Sequence, residues 1–188
     1  MLPTLFGKKV TLRSPNPKDL VSFFYFASKP SIGPNAGWFP HKNLDETRMI
    51  LDHHIKENNL WAITLGRDDV MIGTISLNNQ TKDRFFGKGA EIGFVLDDTY
   101  WNQGIVTEAV YLVMKYVFRT LSYDYLKVAH ADFNTASKRV IQKSGFKFMY
   151  KKHKKYIENP NINYVLYYEI TKKEFLEHEK NTTTEIWF

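Results

Sequence analysis

This chain of 188 residues predicts an α/β fold on a mixed sheet, and three observations predict it. The spacing of apolar residues switches along the chain between a period near 3.6 and a period of two. After an opening pair, the helical segments fall singly between strand segments, the order β-αα-β-β-β-α-β-α-β-β. Hydrophobic residues make up 43% of the chain and aromatic residues 15%, which suits one packed core and argues against disorder.

The strands and helices follow in order. Lys9-Val10-Thr11-Leu12-Arg13 alternates polar and apolar residues as a half-buried strand does. Asp19 is an early-turn acid opening a helix whose apolar positions include Leu20, Phe23, Phe24 and Ala27. The prolines and glycines from Pro30 to Pro40 predict a loop. A second helix begins at Leu44, with Thr47, Ile50, Leu51, His54 and Ile55 near one face.

From Leu60 the period is two. Trp61 to Leu65 and Val70 to Leu77 predict strands, joined by a turn at Gly66-Arg67-Asp68-Asp69. A third strand, Ala90 to Leu96, puts Ala90, Ile92, Phe94 and Leu96 on one face and Glu91, Gly93 and Val95 on the other. A helix runs from about Ile105 to Leu121, with Val106, Val110, Val113 and Val117 on one stripe and Glu108, Lys115 and Arg119 opposite. The strand Tyr125 to Ala131 leads to a short helix, Thr135 to Lys143, with Asn134 typed to cap its start and Gly145 to take the left-handed turn after it. Strands at about Phe146 to Ile157 and Tyr164 to Ile170 flank Glu158-Asn159-Pro160-Asn161, and a charged helical stretch follows.

Charge and composition limit the partners. A formal net charge of +6 suits nucleic acid, a membrane surface or an anionic small molecule. Only Lys151-Lys152-His153-Lys154-Lys155 is concentrated, and a solvated strand or hairpin face is its plain expectation. No arginine–aromatic module or helix-turn-helix spacing accompanies it, so nucleic acid is not an expected partner. No run approaches the roughly 20 apolar residues that cross a bilayer, and Met1 to Lys8 lacks the pattern of a secretory signal. A cytoplasmic protein without a membrane partner is expected. Without cysteine there is no thiol nucleophile, disulfide or thiolate ligand. His41 and the pair His53-His54 lack a carboxylate at ligand spacing, so no metal site is expected.

The junction between the third strand and the long helix is where chemistry is most legible. A loop that opens a helix offers unpaired amide donors and the positive end of the helix dipole, which together suit a phosphate. Asn102 to Thr107 occupies that junction, and Gly104 lets backbone approach an anion closely. A single glycine is equally explained as strain relief in a turn, so the junction alone leaves both readings open.

The segments Glu91-Ile92-Gly93-Phe94-Val95-Leu96 and Tyr100-Trp101-Asn102-Gln103-Gly104-Ile105-Val106-Thr107-Glu108-Ala109 resemble the GNAT superfamily of N-acetyltransferases. More narrowly they resemble its RimJ/RimL-like branch, which acetylates protein N-terminal amines, including those of ribosomal proteins. Val10 to Arg13, Trp61-Ala62-Ile63, Ile72 to Ile75, and Asn134 to Ile141 with Lys143-Ser144-Gly145-Phe146 continue the match in the expected order. The resemblance covers about residues 8 to 172. It implies one domain over residues 1–188, with a C-terminal extension from about 173. It also implies a twisted, mostly antiparallel sheet of about six or seven strands and about four helices.

What the resemblance implies for function is specific. Acetyl-CoA is the expected cosubstrate and an amine the acceptor, most simply a peptide N-terminus, in a monomer or homodimer. Val95, Asn102, the amides of Gln103, Gly104, Ile105 and Val106, the Thr107 hydroxyl, and Asn134 and Ser137 are the expected coenzyme contacts. Glu91 matches the carboxylate that takes the proton of the incoming amine in some relatives; a buried structural carboxylate is the competing reading. Ser137 matches a serine that protonates the leaving thiolate, against a hydroxyl that satisfies its own helix. Tyr150 and Tyr164 are alternative acids. Trp38, Phe39 and His41 are candidates for an acceptor wall, or else, for the first two, a hydrophobic plug.

Two positions depart from the branch. Asn102 stands where the first glycine of the loop is usual, and Asn accepts left-handed backbone better than most residues. Val106 stands where glycine or alanine is usual, and its bulk is expected to narrow the diphosphate's approach. Two other functions compete: acetylation of a small amine such as a polyamine, an aminoglycoside-like amine or an amino acid, and a non-catalytic module that binds acyl-CoA.

Overall fold

The computed structural model describes residues 2–66, 68–83, 87–154, 159 and 161–185. Among them are the strands β1 (Leu5–Phe6), β2 (Val10–Arg13), β3 (Leu60–Leu65), β4 (Asp68–Asp83), β5 (Gly87–Leu96), β6 (Tyr125–Ala131), β7 (Lys147–His153) and β8 (Tyr164–Thr171). They join in one mixed sheet, ordered β1-β2-β3-β4-β5-β6-β8-β7. Every neighbouring pair is antiparallel except β5 with β6. The helices are α1 (Leu20–Ala27), α2 (Gly33–Ala36), α3 (Leu44–Glu57), α4 (Ile105–Arg119), α5 (Thr135–Lys143) and α6 (Lys172–Glu185).

Core lies on both faces of the sheet. On one, the stripe Val106, Val110, Val113 and Val117 of α4 packs with Ile141 of α5 and Phe175 of α6 over Trp61, Ile92 and Leu126. On the other, Phe23 and Phe26 of α1 and Leu51 of α3 close over Ala62 and Met71. The period-two alternation of β3, with Trp61 and Ile63 facing one cluster and Ala62 the other, is what lets one sheet serve two cores.

The described residues form eight strands and six helices, where about six or seven and about four were expected. β1 has two residues, too few to show a period. Pro30 to Pro40 is not all loop: Pro34 lies in the first turn of α2, where a missing amide hydrogen costs nothing, and Gly37 closes the turn at φ 86°. Asp68 and Asp69 belong to β4 rather than to the turn, because Asp68 already pairs with Leu65. Lys155 to Glu158 and Pro160, in the last hairpin, lie outside the described residues. β7 is exposed along its whole length, and Lys151 to His153 present the solvated face their charge predicts.

Gly145 ends α5 at φ 84°, and a Cβ there would collide with the His178 ring of α6. His178 Nε2 in turn donates to the Lys143 carbonyl at 3.2 Å, so α6 is seated on the end of α5. Gly145→Ala is therefore expected to destabilise the fold by about 2 kcal/mol, from left-handed strain plus the collision. Urea unfolding checks this. His178→Ala in the same background should recover the steric part and leave the backbone part.

Candidate active site

The two parallel strands part. β5 and β6 pair from Gly89 with Tyr125 to Ile92 with Val128, and no further. Beyond that point β5 keeps pairing with β4 as far as Leu96, and β6 with β8 as far as Ala131. Their inner edges, residues 93–96 and 129–131, therefore turn backbone groups toward a gap at the carboxyl ends of the pair. The gap opens into a cavity of about 900 Å³ that Glu91 and Val95 border from β5. The Trp101 indole N–H donates to the Leu96 carbonyl at 2.9 Å and pins the end of β5 beneath the following loop.

That loop delivers the start of α4 to the cavity, which is bordered by Asn102, Gln103, Gly104, Ile105, Val106 and Thr107. Asn102 at φ 61° and Gly104 at φ 76° are both left-handed, so asparagine does occupy a position that glycine would hold without strain. The first rung of the helix is Glu108 N–H to the Gly104 carbonyl at 3.1 Å. The amides of Ile105, Val106 and Thr107 precede the ladder and carry the positive end of the dipole. The Val106 side chain is 9% exposed and packs in the core, so its bulk is largely taken up there.

α5 brings the other wall. Asn134 caps it, its Oδ1 accepting the Ser137 amide at 3.0 Å. The Ser137 hydroxyl itself makes no hydrogen bond among the described residues, and both residues border the cavity. Capping thus occupies Asn134 and the backbone of Ser137 and leaves the hydroxyl to the cavity.

Toward the α1 and α3 face the cavity is lined by Trp38, Phe39 and His41. His41 is buried against the rings of Phe23 and Trp38, each 5.2 Å away by centroid. Thr47 gives its hydroxyl hydrogen to the Asn43 carbonyl at 3.0 Å, so at 2.9 Å it accepts from His41 Nδ1. That assigns the tautomer and leaves Nε2 unprotonated; burial holds the His41 pKa below its ordinary value. Glu91 stands opposite Asn78 in the β4–β5 register, and Asn78 Nδ2 donates to Ser76 Oγ at 2.7 Å on the same wall. A clamp fixes the loop over this end: Lys29 Nζ bonds Asp97 at 2.6 Å and Asp98 at 2.8 Å. Ser31 adds a bond to Asp98, and these donors, led by Lys29, hold the Asp98 carboxyl down to about 2.

All thirteen of the principal expected site residues meet at this one cavity. The alternative acids do not: Tyr150 is half exposed and stacked on Tyr167 at 4.8 Å, and Tyr164 packs edge-on to His153, both away from the cavity. Several lining residues had escaped notice. His130 borders the gap, donating Nδ1–H to the Ala131 carbonyl at 2.7 Å and accepting the Tyr168 hydroxyl at Nε2, 3.2 Å away. Desolvation by burial lowers its pKa from the ordinary histidine value. Glu46, His54, Arg139 and Lys143 also line the cavity; the i, i+4 spacing of Arg139 and Lys143 was the signal that α5 turns two cations to one side. Among the described residues no group of three His, Asp or Glu is placed to hold a metal ion.

The sheet and its flanking helices share their fold with solved acetyltransferases. A GNAT-family acetyltransferase from Bacillus anthracis superposes with a TM-score of 0.76 at 22% identity, over 92% of this chain and 100% of that one. Spermidine N-acetyltransferase from Vibrio cholerae, solved with CoA and spermine, gives 0.77 at 17% identity over 90% and 99%. Ribosomal-protein-S5-alanine acetyltransferase from Vibrio fischeri gives 0.72 at 18% over 93% and 99%.

The chain belongs to the GNAT acetyltransferase family, whose domain model matches residues 9–147. A probable N-acetyltransferase of Bacillus subtilis (strain 168), YjcK, is 34% identical over 102 residues, 54% of this chain and only 52% of that protein. The uncharacterized N-acetyltransferase p20 of Bacillus licheniformis is 25% identical over 150 residues, 77% of this chain and 83% of its own length.

Proposed function

We propose that this chain transfers the acetyl group of acetyl-CoA to a primary amine by direct attack, and that the acceptor is a protein or peptide N-terminus. The observation that carries the reading is the parted β5–β6 pair ending at the α4 start, with Glu91 and Ser137 on the same cavity. The residues fit the coenzyme: unladdered amides at Ile105 to Thr107 suit its diphosphate, and the inner strand edges suit the amide-bearing pantetheine arm. Glu91 takes the proton of the ammonium, directly or through water. The neutral amine then forms the N–C bond as the C–S bond breaks; Ser137 supplies a proton to the departing thiolate and regains one, through water, from the N–H proton that the new amide nitrogen sheds.

Acceptor class rests on charge. Among the described residues the cavity's carboxylates are Glu46 and Glu91, set among aromatic and neutral groups. Two acids suit one ammonium better than a polycation, in keeping with the RimJ/RimL-like branch. A second reading, a small amine, draws on Asn159, whose Nδ2 donates to the Pro34 carbonyl at 3.3 Å and so ties the last hairpin to α2, whose Asn35 and Ala36 line the cavity. We place the activity in one domain over about residues 8–172, acting in the cytoplasm as a monomer or homodimer. No described helix is long and apolar enough to cross a membrane.

Thermal melting across an acetyl-CoA titration tests the reading, because binding to the native state raises the midpoint by mass action. A saturable rise is expected, followed by thiol release with N-terminal peptides in preference to polyamines. No shift at millimolar coenzyme would reject the reading in favour of a module that no longer binds it.

A further inference from the structure

The loop Asn102 to Thr107 carries no charged side chain of its own. A cation comes to it from the other end of the chain. Lys9, the residue before β2, donates from Nζ to the Gln103 carbonyl at 3.0 Å. At Gly104, chain neighbours aside, the one atom of the described residues within 4 Å of where a Cβ would stand is that same Nζ, at 3.8 Å. The backbone of Lys9 is also fixed: its amide donates to Glu108 Oε1 at 3.1 Å, and the Lys8 amide donates to the same carboxylate. Lys9 is thereby held at both ends against the first turn of α4.

The electrostatics of that position are unusual. An ammonium beside a helix N-terminus meets the positive end of the dipole, where cations are disfavoured. The nearby Glu108 carboxylate is engaged by backbone amides, and Nζ forms no ion pair among the described residues. One of its three hydrogens goes to Gln103, which leaves two donors. Such an arrangement becomes favourable when an anion joins the ammonium and the free amides.

We propose that Lys9 is the cation that binds the diphosphate of the coenzyme, completing a loop that supplies only neutral donors. The proposal rests on the coenzyme reading above. Lys9 acts by binding alone and takes no part in the acetyl transfer.

Calorimetric titration of CoA and of 3′-dephospho-CoA into the wild-type, Lys9→Met, Lys9→Arg and Lys8→Met proteins, at several salt concentrations, tests it. Lys9→Met should weaken both ligands about tenfold, the scale of one lost charge-assisted hydrogen bond. Its affinity should also vary less steeply with salt than the wild type's. Lys9→Arg should stay within about threefold of wild type, and Lys8→Met should match it. Unchanged affinity in Lys9→Met overturns the proposal. So does weakening with an unaltered salt dependence, which marks Lys9 as a structural tether to Gln103. Loss confined to CoA assigns Lys9 to the 3′-phosphate and overturns it as well. A wild-type protein that binds neither ligand sinks the coenzyme reading itself, a result distinct from all of these.

Discussion

Replacing Gly104 by aspartate is expected to weaken acetyl-CoA binding by about 100-fold or more. Sterics are not the reason, since, chain neighbours aside, a Cβ at this position meets only Lys9 Nζ among the described residues, at 3.8 Å. Backbone strain is a small part: Gly104 sits at φ 76°, a region aspartate enters at a cost of about 1 kcal/mol. Charge is the main part. A carboxylate about 4 Å from a diphosphate at an effective dielectric near 20 costs about 4 kcal/mol per charge pair, before screening. It would also neutralise Lys9. Gly104→Ala separates the two causes, because it carries the strain without the charge and should lose less than about tenfold. Calorimetry on both variants checks the order. Equal losses would make the loop's shape the dominant factor, and unchanged binding in Gly104→Asp would remove the loop from the coenzyme site.

The elements that could be read from sequence are those whose apolar residues repeat. α4 shows its stripe of valines, and β6 and α5 begin and end where the period, Asn134 and Gly145 place them. Local signals suffice there because each boundary is set by residues a few positions apart. α2 was missed because Pro34 and the flanking glycines read as breakers, although proline is tolerated in a first turn. Length misled at β4, which runs to Asp83 and pairs there with Gly87 through residues that lack an apolar alternation.

The site divides in the same way. Asn102 to Thr107, Asn134 and Ser137 lie within short motifs that the family pattern names, and they border the same cavity. Lys9 and His130 lie outside those motifs, and Arg139 and Lys143 lie within one that gives them no role. Lys9 reaches the loop only because β2 packs beside α4, across a sequence separation of 94 residues. His130 is fixed by Tyr168 on the neighbouring strand β8. Proximity of that kind comes from tertiary pairing, which no local spacing encodes.

Ser137→Ala is expected to lower turnover by about 100-fold while leaving the Kd for acetyl-CoA within about twofold. The separation is anticipated because the cap uses the Ser137 amide and Asn134 Oδ1, neither of which the substitution removes. The hydroxyl has no hydrogen-bond partner among the described residues, so its loss leaves no orphaned group in the fold. A proton donor matters in proportion to the basicity of what leaves. With an acetyl thioester whose thiol is more acidic than that of CoA, the Ser137→Ala deficit should shrink toward the wild-type rate. The deficit of Gly104→Asp, which arises in binding, should not respond to leaving-group acidity. Ser137→Thr keeps the hydroxyl and should retain most of the turnover. A Ser137→Ala protein that loses affinity and turnover equally, and gains nothing from the better leaving group, would make Ser137 a binding residue. The thiolate would then have to draw its proton from solvent.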